Sequence, residues 1–453
     1  MKRAWIMRYG AACVGLSVLA SACALDETDI GEAELAVIDM NVAWERHTIV
    51  AGGPGLVGSD GVHLADMNND GRHDVVSPYE QSGKVTVSLH PGYLQADNAW
   101  GTPVTLPAGA DTIVSAEDAI IADVDGDGRK DVIVGSEDGN RVTVMFAPAD
   151  LIMGSWVRMD LLTGFGVMRV AFANVAGEVA RPGKAEIVIG GREKNGPEAS
   201  IGYYSLTTPA SPRLASSWTY NFIRRVSWVM NMMVVDMEGD GDRDIVYTDR
   251  EQLPGDPPDG SKRGLRWITS SNNNTPAWTD AAPYNQISSL TSNHKWFDII
   301  KWDADNDLDI VDCRSDGATE DYKIWLNGGA GMSWTSLTVP VPTSVGDCQH
   351  ITFANVDKAG ALDLGITYSH SEGLFGVLWM QNTGTAAAPV WQRGRISGNG
   401  ADGGIKFDNL IWYDMDNDTD LDAVTSEQHE PAGTSQGPGL GVIWYENPLI
   451  AAP

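Results

Sequence analysis

Carboxylates recur along this chain in a fixed spelling. Asp66, Asn68, Asp70 and Asp74 hold positions 1, 3, 5 and 9 of a nine-residue stretch, with Gly71 at position 6. Asp123, Asp125, Asp127 and Asp131 repeat it around Gly128, and Asp236, Glu238, Asp240 and Asp244 around Gly241. Asp414, Asp416, Asp418 and Asp422 repeat it with Thr419 at position 6. Oxygens at these positions converge when the loop curls, and glycine supplies the positive φ of the sharp turn. Carboxylates brought so close repel: a pair at about 4 Å costs roughly 4 kcal/mol at an effective dielectric of 20. A hard cation with several oxygen ligands cancels that cost. The ligand number suits Ca²⁺ better than Mg²⁺, which keeps its waters. Four structural calcium sites are therefore expected. An EF-hand would need Glu at position 12 and flanking helices, whereas here position 9 leads straight into a β-branched run.

The loops also count repeats. Degenerate copies begin at Asn174, Lys301 and Asn355, which makes seven in all. In the fifth, Lys301 takes position 1, and its ammonium is expected to replace the ion. The third has no ligand set, and in the sixth Ala359 replaces the position-5 ligand. Tryptophan gives a second ruler: Trp44, Trp100, Trp156, Trp218, Trp278, Trp334 and Trp391 recur about every 56 to 62 residues, interleaved with the Asp loops. Between the markers run short apolar strands such as Ala119–Ala122, Val132–Val134 and Arg141–Phe146, with no helical pattern. The reading is all-β: a seven-bladed β-propeller of four-stranded antiparallel blades. The last repeat stops after Gly441–Tyr445, a third strand. The first begins with an orphan fourth strand, Trp44–Val50. Ring closure by the N-terminal strand completing the last blade removes both deficits and an exposed edge.

Before the repeats, Lys2, Arg3 and Arg8 precede an apolar stretch from about Tyr9 to Ala22, too short to span a membrane. Residues 1–22 read as a signal peptide, 23–43 as an acidic tether and 44–453 as the propeller. Leu19-Ala-Ser-Ala-Cys23 resembles a bacterial lipoprotein signal, although Ala20 stands where Leu is usual. The chain is expected to be exported, either lipid-anchored through Cys23 or freely secreted. The net charge of −30 argues against nucleic-acid or anionic-membrane partners, which need clustered Lys and Arg. A monomer is expected.

The Asp loops and their following strands resemble FG-GAP/VCBS repeats, the units of integrin-α-type propellers, certain fungal lectins and many bacterial surface proteins. The resemblance covers about Trp44 to the C-terminus and implies the propeller and calcium. Its functions range over adhesion, sugar binding and sometimes catalysis, so function has to be argued from a site.

The Asp loops join first to second strands and so occupy one face of the disc. Loops from second to third strands, and those between blades, then share the opposite face. Arg192, Trp228, Arg250, His294, Trp296, His350 and His370 fall in those loops and are the candidate ligand residues. Large aromatics there can stack on a sugar ring or anchor a protein. Any single one of them can equally be an ordinary solvated loop residue. Trp267, Trp325, Trp379 and Trp444, with the repeat tryptophans, read as packing between sheets. Cys313 and Cys348 are expected to pair in an oxidising compartment. Gly433-Thr-Ser-Gln-Gly437 spells a nucleophile elbow, but it sits in a loop between strands and reads as chance. The expected function is a calcium-stabilised surface propeller binding carbohydrate or protein. The alternative is a polysaccharide lyase or hydrolase using His, Arg and carboxylates on the same face.

Overall fold

The computed structural model describes residues 38–93, 100–175, 185–193, 199–251, 264–270, 278–279, 287–288, 294–315, 320–399, 404–429 and 437–449. The expected signal peptide, most of the tether with Cys23, and most of the Gly433–Gly437 segment lie outside them.

Alternating apolar residues fold into seven separate four-stranded antiparallel sheets. Blade two shows the pattern. Ala116–Ala122, Asp131–Ser136, Arg141–Phe146 and Val157–Leu162 pair in sequence order. The second strand is buried along its whole length, and the fourth is half exposed. That gradient fits a ring in which inner strands are covered on both sides. First strands begin at His63, Ala116, Gly166, Val229, His294, Asp347 and Lys406. In blade seven, Glu45–Ala51 pairs antiparallel with Gly437–Glu446, from Glu45 opposite Glu446 to Ala51 opposite Gly441. The ring is closed by the N-terminal strand, as the orphan strand predicts.

Apolar faces of neighbouring blades form the core. Ile133 and Val144 of blade two pack in one cluster with Val170 and Ile189 of blade three. The fourth-strand tryptophans tie down the turns before them: Trp156, Trp218 and Trp334 donate indole N–H bonds to Leu151, Pro212 and Gly331 carbonyls at 3.1, 2.8 and 3.0 Å. Trp379 and Trp444 are fully buried, and Trp267 and Trp325 nearly so. Cys313 of blade five and Cys348 of blade six form a disulfide, so one covalent bond joins two blades.

Blades are also joined by polar clamps on the first strands. Asp118 accepts Val170 N–H at 2.9 Å, Arg169 Nε donates to the Met230 carbonyl at 2.7 Å, and Asn231 Nδ2 donates to the Phe297 carbonyl at 2.7 Å. Thr352 Oγ1 donates to Asp298 at 2.6 Å, Leu410 N–H donates to His350 Nδ1 at 3.3 Å, and Val62 N–H donates to Asn409 Oδ1 at 2.6 Å. The ring of inner strands is thus held by bonds that need a specific neighbour, not by apolar contact alone.

Candidate functional site

Two ends of the inner strands carry chemistry. Each first strand runs toward an Asp loop and each second strand runs back from it. The loops therefore sit at one end, and the starts of first strands and ends of second strands sit at the other.

At the loop end, glycine adopts the left-handed backbone the turn requires: φ is 85° at Gly71, 87° at Gly128 and 94° at Gly241. Thr419 takes the same conformation at φ 83°, which a β-branched residue adopts only under strain. Position 1 accepts the N–H of position 6 in each loop, at 2.9 to 3.0 Å. Position 9 does something the sequence reading missed. Asp74 accepts Met67 N–H and His90 N–H at 2.8 Å, one on each oxygen. Asp131, Asp244, Asp309, Asp363 and Asp422 do the same for Val124 and Ala147, Met237 and Ser270, Trp302 and Asn327, Val356 and Asn382, and Met415 and Asn447. In blade three Glu186 accepts Val175 N–H at 3.0 Å. Position 9 is first a clamp that closes the loop onto the end of the third strand. This explains its presence in degenerate loops as well. Each oxygen keeps a lone pair with which it could also face a cation.

Burial drives these clamp carboxylates up: Asp74 to about 6, Asp131 to about 7, and Asp244 and Asp422 to about 9. Neighbouring carboxylates of the loops add to the effect. Carboxylate oxygens of Asp123, Asp125 and Asp127 lie within 4.8 Å of one another, as do those of Asp414, Asp416 and Asp422, and of Asp303, Asp305 and Asp309. In the seventh loop Asp414 Oδ1, Asp416 Oδ2 and Asp418 Oδ2 are buried without a hydrogen-bond partner, and so are Glu238 Oε2 and Asp242 Oδ1 in the fourth. Orphaned buried oxygens fit a cation. In the second loop Arg213 instead donates to Asp125 Oδ2 at 2.5 Å and Asp127 Oδ2 at 2.8 Å. Lys301 does not serve the fifth loop as expected. It is exposed and forms no ion pair among the described residues, because a four-carbon stem lets its ammonium stay hydrated.

At the opposite end a cavity of about 320 Å³ opens over the channel, with contributions from all seven blades. Its floor has a repeated cause. The first strands of blades two to six each carry a one-residue β-bulge at their start, and the extra residues are Glu117, Met168, Met230, Lys295 and Gln349. All five line the cavity. A bulge re-aims a side chain that regular alternation would direct elsewhere. The residues after the bulges, Asp118, Arg169, Asn231 and His350, are the inter-blade clamps described above.

The candidate ligand residues divide accordingly. Arg192, Trp228, Arg250 and His370 line the cavity. Trp228 is partly buried, pairs with Arg192 through an isolated bridge, and is fixed by Asp249, which accepts its backbone N–H at 2.9 Å. The guanidinium carbons of Arg192 and Arg250 stand 3.3 and 4.3 Å from the Trp228 ring centroid. Arg192 also pairs with the buried Glu137. His370 is an exposed rim residue bonded to Asp347 at 3.0 Å. Trp296 lies in a narrower cavity of about 20 Å³, with Arg169 4.8 Å from its ring. His350 packs against Trp296 and is held neutral, burial pushing its imidazole down to about 3. His294 does not face the channel. It is fully buried and bonded to Asp312 at 2.7 Å and to Ser288 at 3.1 Å.

The cavity is electrically divided. Oxygens of Asp60, Glu80 and Glu117 gather within 4.8 Å of one another, with Glu137 beside them. Burial and then the charges of Asp60, Glu80 and Glu137 push Glu117 well above the usual carboxylate range. Blades three, four, five and seven contribute Arg169, Arg192, Arg250, Lys295 and Lys406.

Residues 66–134 match the family model of the FG-GAP-like repeat, the segment holding the first two Asp loops. No curated protein matches the chain. Among solved structures it is similar to an Agrocybe aegerita lectin that recognises non-reducing terminal N-acetylglucosamine, at 16% identity and TM-score 0.44, covering 74% of this chain and 80% of that one. It is also similar to the periplasmic gluconolactonase PpgL of Pseudomonas aeruginosa, at 11% identity and TM-score 0.49, covering 87% and 100%. A third is a luciferin-regenerating enzyme, at 8% identity and TM-score 0.41, covering 91% and 98%.

Proposed function

Taking the chain as a seven-bladed β-propeller with FG-GAP-like repeats, we propose that it is an exported, calcium-stabilised binding protein that takes a carbohydrate in the channel mouth. The cavity that carries the reading holds the partly buried Trp228, with two guanidiniums stacked on its ring, on one side and clustered carboxylates on the other. Trp228 holds the two guanidiniums stacked on its ring, their N–H groups suit sugar hydroxyl oxygens, and carboxylates accept hydroxyl hydrogens. About 320 Å³ is at the low end of small-molecule sites, the right scale for one or two sugar rings. Calcium belongs to the loop end, where it would cancel repulsion most in blades four and seven and less in blade one, whose Arg72 already meets Asp70. In blade two it competes with Arg213.

A hydrolase or lyase is the weaker reading. One His–carboxylate pair, His63 and Asp118 at 3.2 Å, borders the cavity of about 20 Å³, which has room for a water and not for a sugar ring, and the other, His370 and Asp347 at 3.0 Å, is an exposed ion pair on the rim of the larger cavity. Burial pulls Asp118 up, yet His63 and Arg169 outweigh it and hold the carboxyl below its usual value. That suits an ion pair more than an acid catalyst.

Glycan-array screening of the mature chain tests the proposal. Binding of an oligosaccharide set, weakened at least tenfold by Trp228→Ala, is the expected result. Turnover of a polysaccharide with no measurable binding on the array contradicts it.

A further inference from the structure

Lys295 is the extra residue of the bulge that opens blade five, between His294 opposite Arg314 and Trp296 opposite Cys313. Its side chain lines the channel mouth although the residue is only 8% exposed. The strand beneath it is fixed, with His294 bonded to Asp312 and the Lys295 carbonyl accepting from Thr248 Oγ1. Yet the ammonium makes no hydrogen bond and no ion pair among the described residues. The stem is buried, but the ammonium is not among the shut-in unpartnered atoms: it opens into the cavity, where its three donors are free for water or for a bound acceptor. Other cations at this mouth are engaged: Arg192 with Glu137, Arg169 with the Met230 carbonyl, and Lys406 with Asp408 at 3.9 Å.

We propose that Lys295 is the anchor for an anionic group, a carboxylate or a sulfate, carried by the saccharide that binds in the mouth. This rests on the carbohydrate reading and names the class of sugar. The surrounding charges shape the choice. Arg250 and Lys406 add like charge near Lys295, and Asp347 and Glu320 add opposite charge. An ammonium with both signs around it pairs one added anion without building a large positive field. The chain as a whole carries −30, so a dense polyanion is repelled on approach. An oligosaccharide with isolated acidic residues fits better, its hydroxyls facing Asp60 and Glu80 across the cavity.

Burial, with the nearby Arg250 and Lys406, pulls the Lys295 ammonium down to about 8, against the opposing pull of Asp347 and Glu320. Capture of an anion should then be full below that pH and fade as the ammonium deprotonates above it.

The test titrates the mature protein with matched oligosaccharides, neutral, uronate-bearing and sulfated, and with glucuronate and sulfate alone. The expected result is at least tenfold tighter binding of an acidic than of the neutral saccharide, lost in Lys295→Met. Affinity should fall about tenfold from pH 7 to pH 9.5 in the wild type and stay flat in Lys295→Arg. An unchanged melting temperature for Lys295→Met shows that the fold is intact. The two acidic arms tell carboxylate from sulfate. If neutral and acidic saccharides bind alike and Lys295→Met changes nothing, the anion anchor is wrong while the carbohydrate reading stands. If glucuronate or sulfate binds through Lys295 but no saccharide does, the anchor stands and the carbohydrate reading falls. If nothing binds, both fail.

Discussion

The Asp loops of blades one and two and those of blades four and seven share a spelling but differ in the charge set around them. Position 7 separates them. In the first pair it is arginine: Arg72 donates to Asp70 at 2.5 Å, and Arg129 pairs with Asp127. Arg213 then reaches from blade three onto Asp125 and Asp127. In the second pair position 7 is Asp242 or Asp420, and buried oxygens of Glu238, Asp242, Asp414, Asp416 and Asp418 lack partners. On the proposed calcium role, a loop that supplies its own cation would need the ion less than one that adds a further carboxylate. Within one chain the same motif therefore gives sites of unequal demand.

Asp416→Asn probes the acidic loop most strongly. In chelator it should raise the melting temperature by relieving repulsion, and in saturating calcium it should lower it by removing a ligand. Calcium at a hundredfold excess over its Kd contributes about 2.7 kcal/mol per site, so the swing between the two conditions should shrink by roughly that amount. Asp125→Asn in blade two should lower the melting temperature in chelator, because Arg213 loses one of its two carboxylate partners. Equal signs for the two variants in chelator would break the comparison.

Arg213→Ala is expected to act next in size. Its side chain is 37% exposed, so the loss in chelator should be only about 1 kcal/mol after screening. With the guanidinium gone, calcium response at blade two should rise. Thermal melts with and without chelator check both. Thr419→Gly is the smallest. Releasing the φ of 83° should stabilise by about 1 kcal/mol, less the exposed Lys358 bond to Thr419 Oγ1 at 2.9 Å. A fall in melting temperature would mean that bond matters more than the strain.

The blade count, the strand order and the closing strand were legible because each rests on residues repeated seven times. The difference at position 7 was also written in the sequence, as Arg72 and Arg129 against Asp242 and Asp420, but its meaning needed the burial around each loop. Position 9 reads as a ligand from spacing alone. Only the fold reveals that its oxygens already serve the end of the third strand.

Of the candidate ligand residues, Arg192, Trp228, Arg250 and His370 line the mouth, whereas His294, Trp296 and His350 at the strand starts do not. Bulges at the starts of blades five and six put Lys295 and Gln349 into the cavity in their place. A single unpaired residue shifts which side chains face the channel, and nothing in local composition announces it. The seven-fold recurrence at matching offsets was the one signal that could have suggested a shared irregularity.

The most direct test of unequal loops is a crystal structure of the mature protein grown with calcium limiting. The ion should appear first among Asp414, Asp416 and Asp418 and beside Glu238 and Asp240, with Arg213 still on Asp125 and Asp127. Calcium filling blade two first, with Arg213 displaced and blade seven empty, would contradict the account.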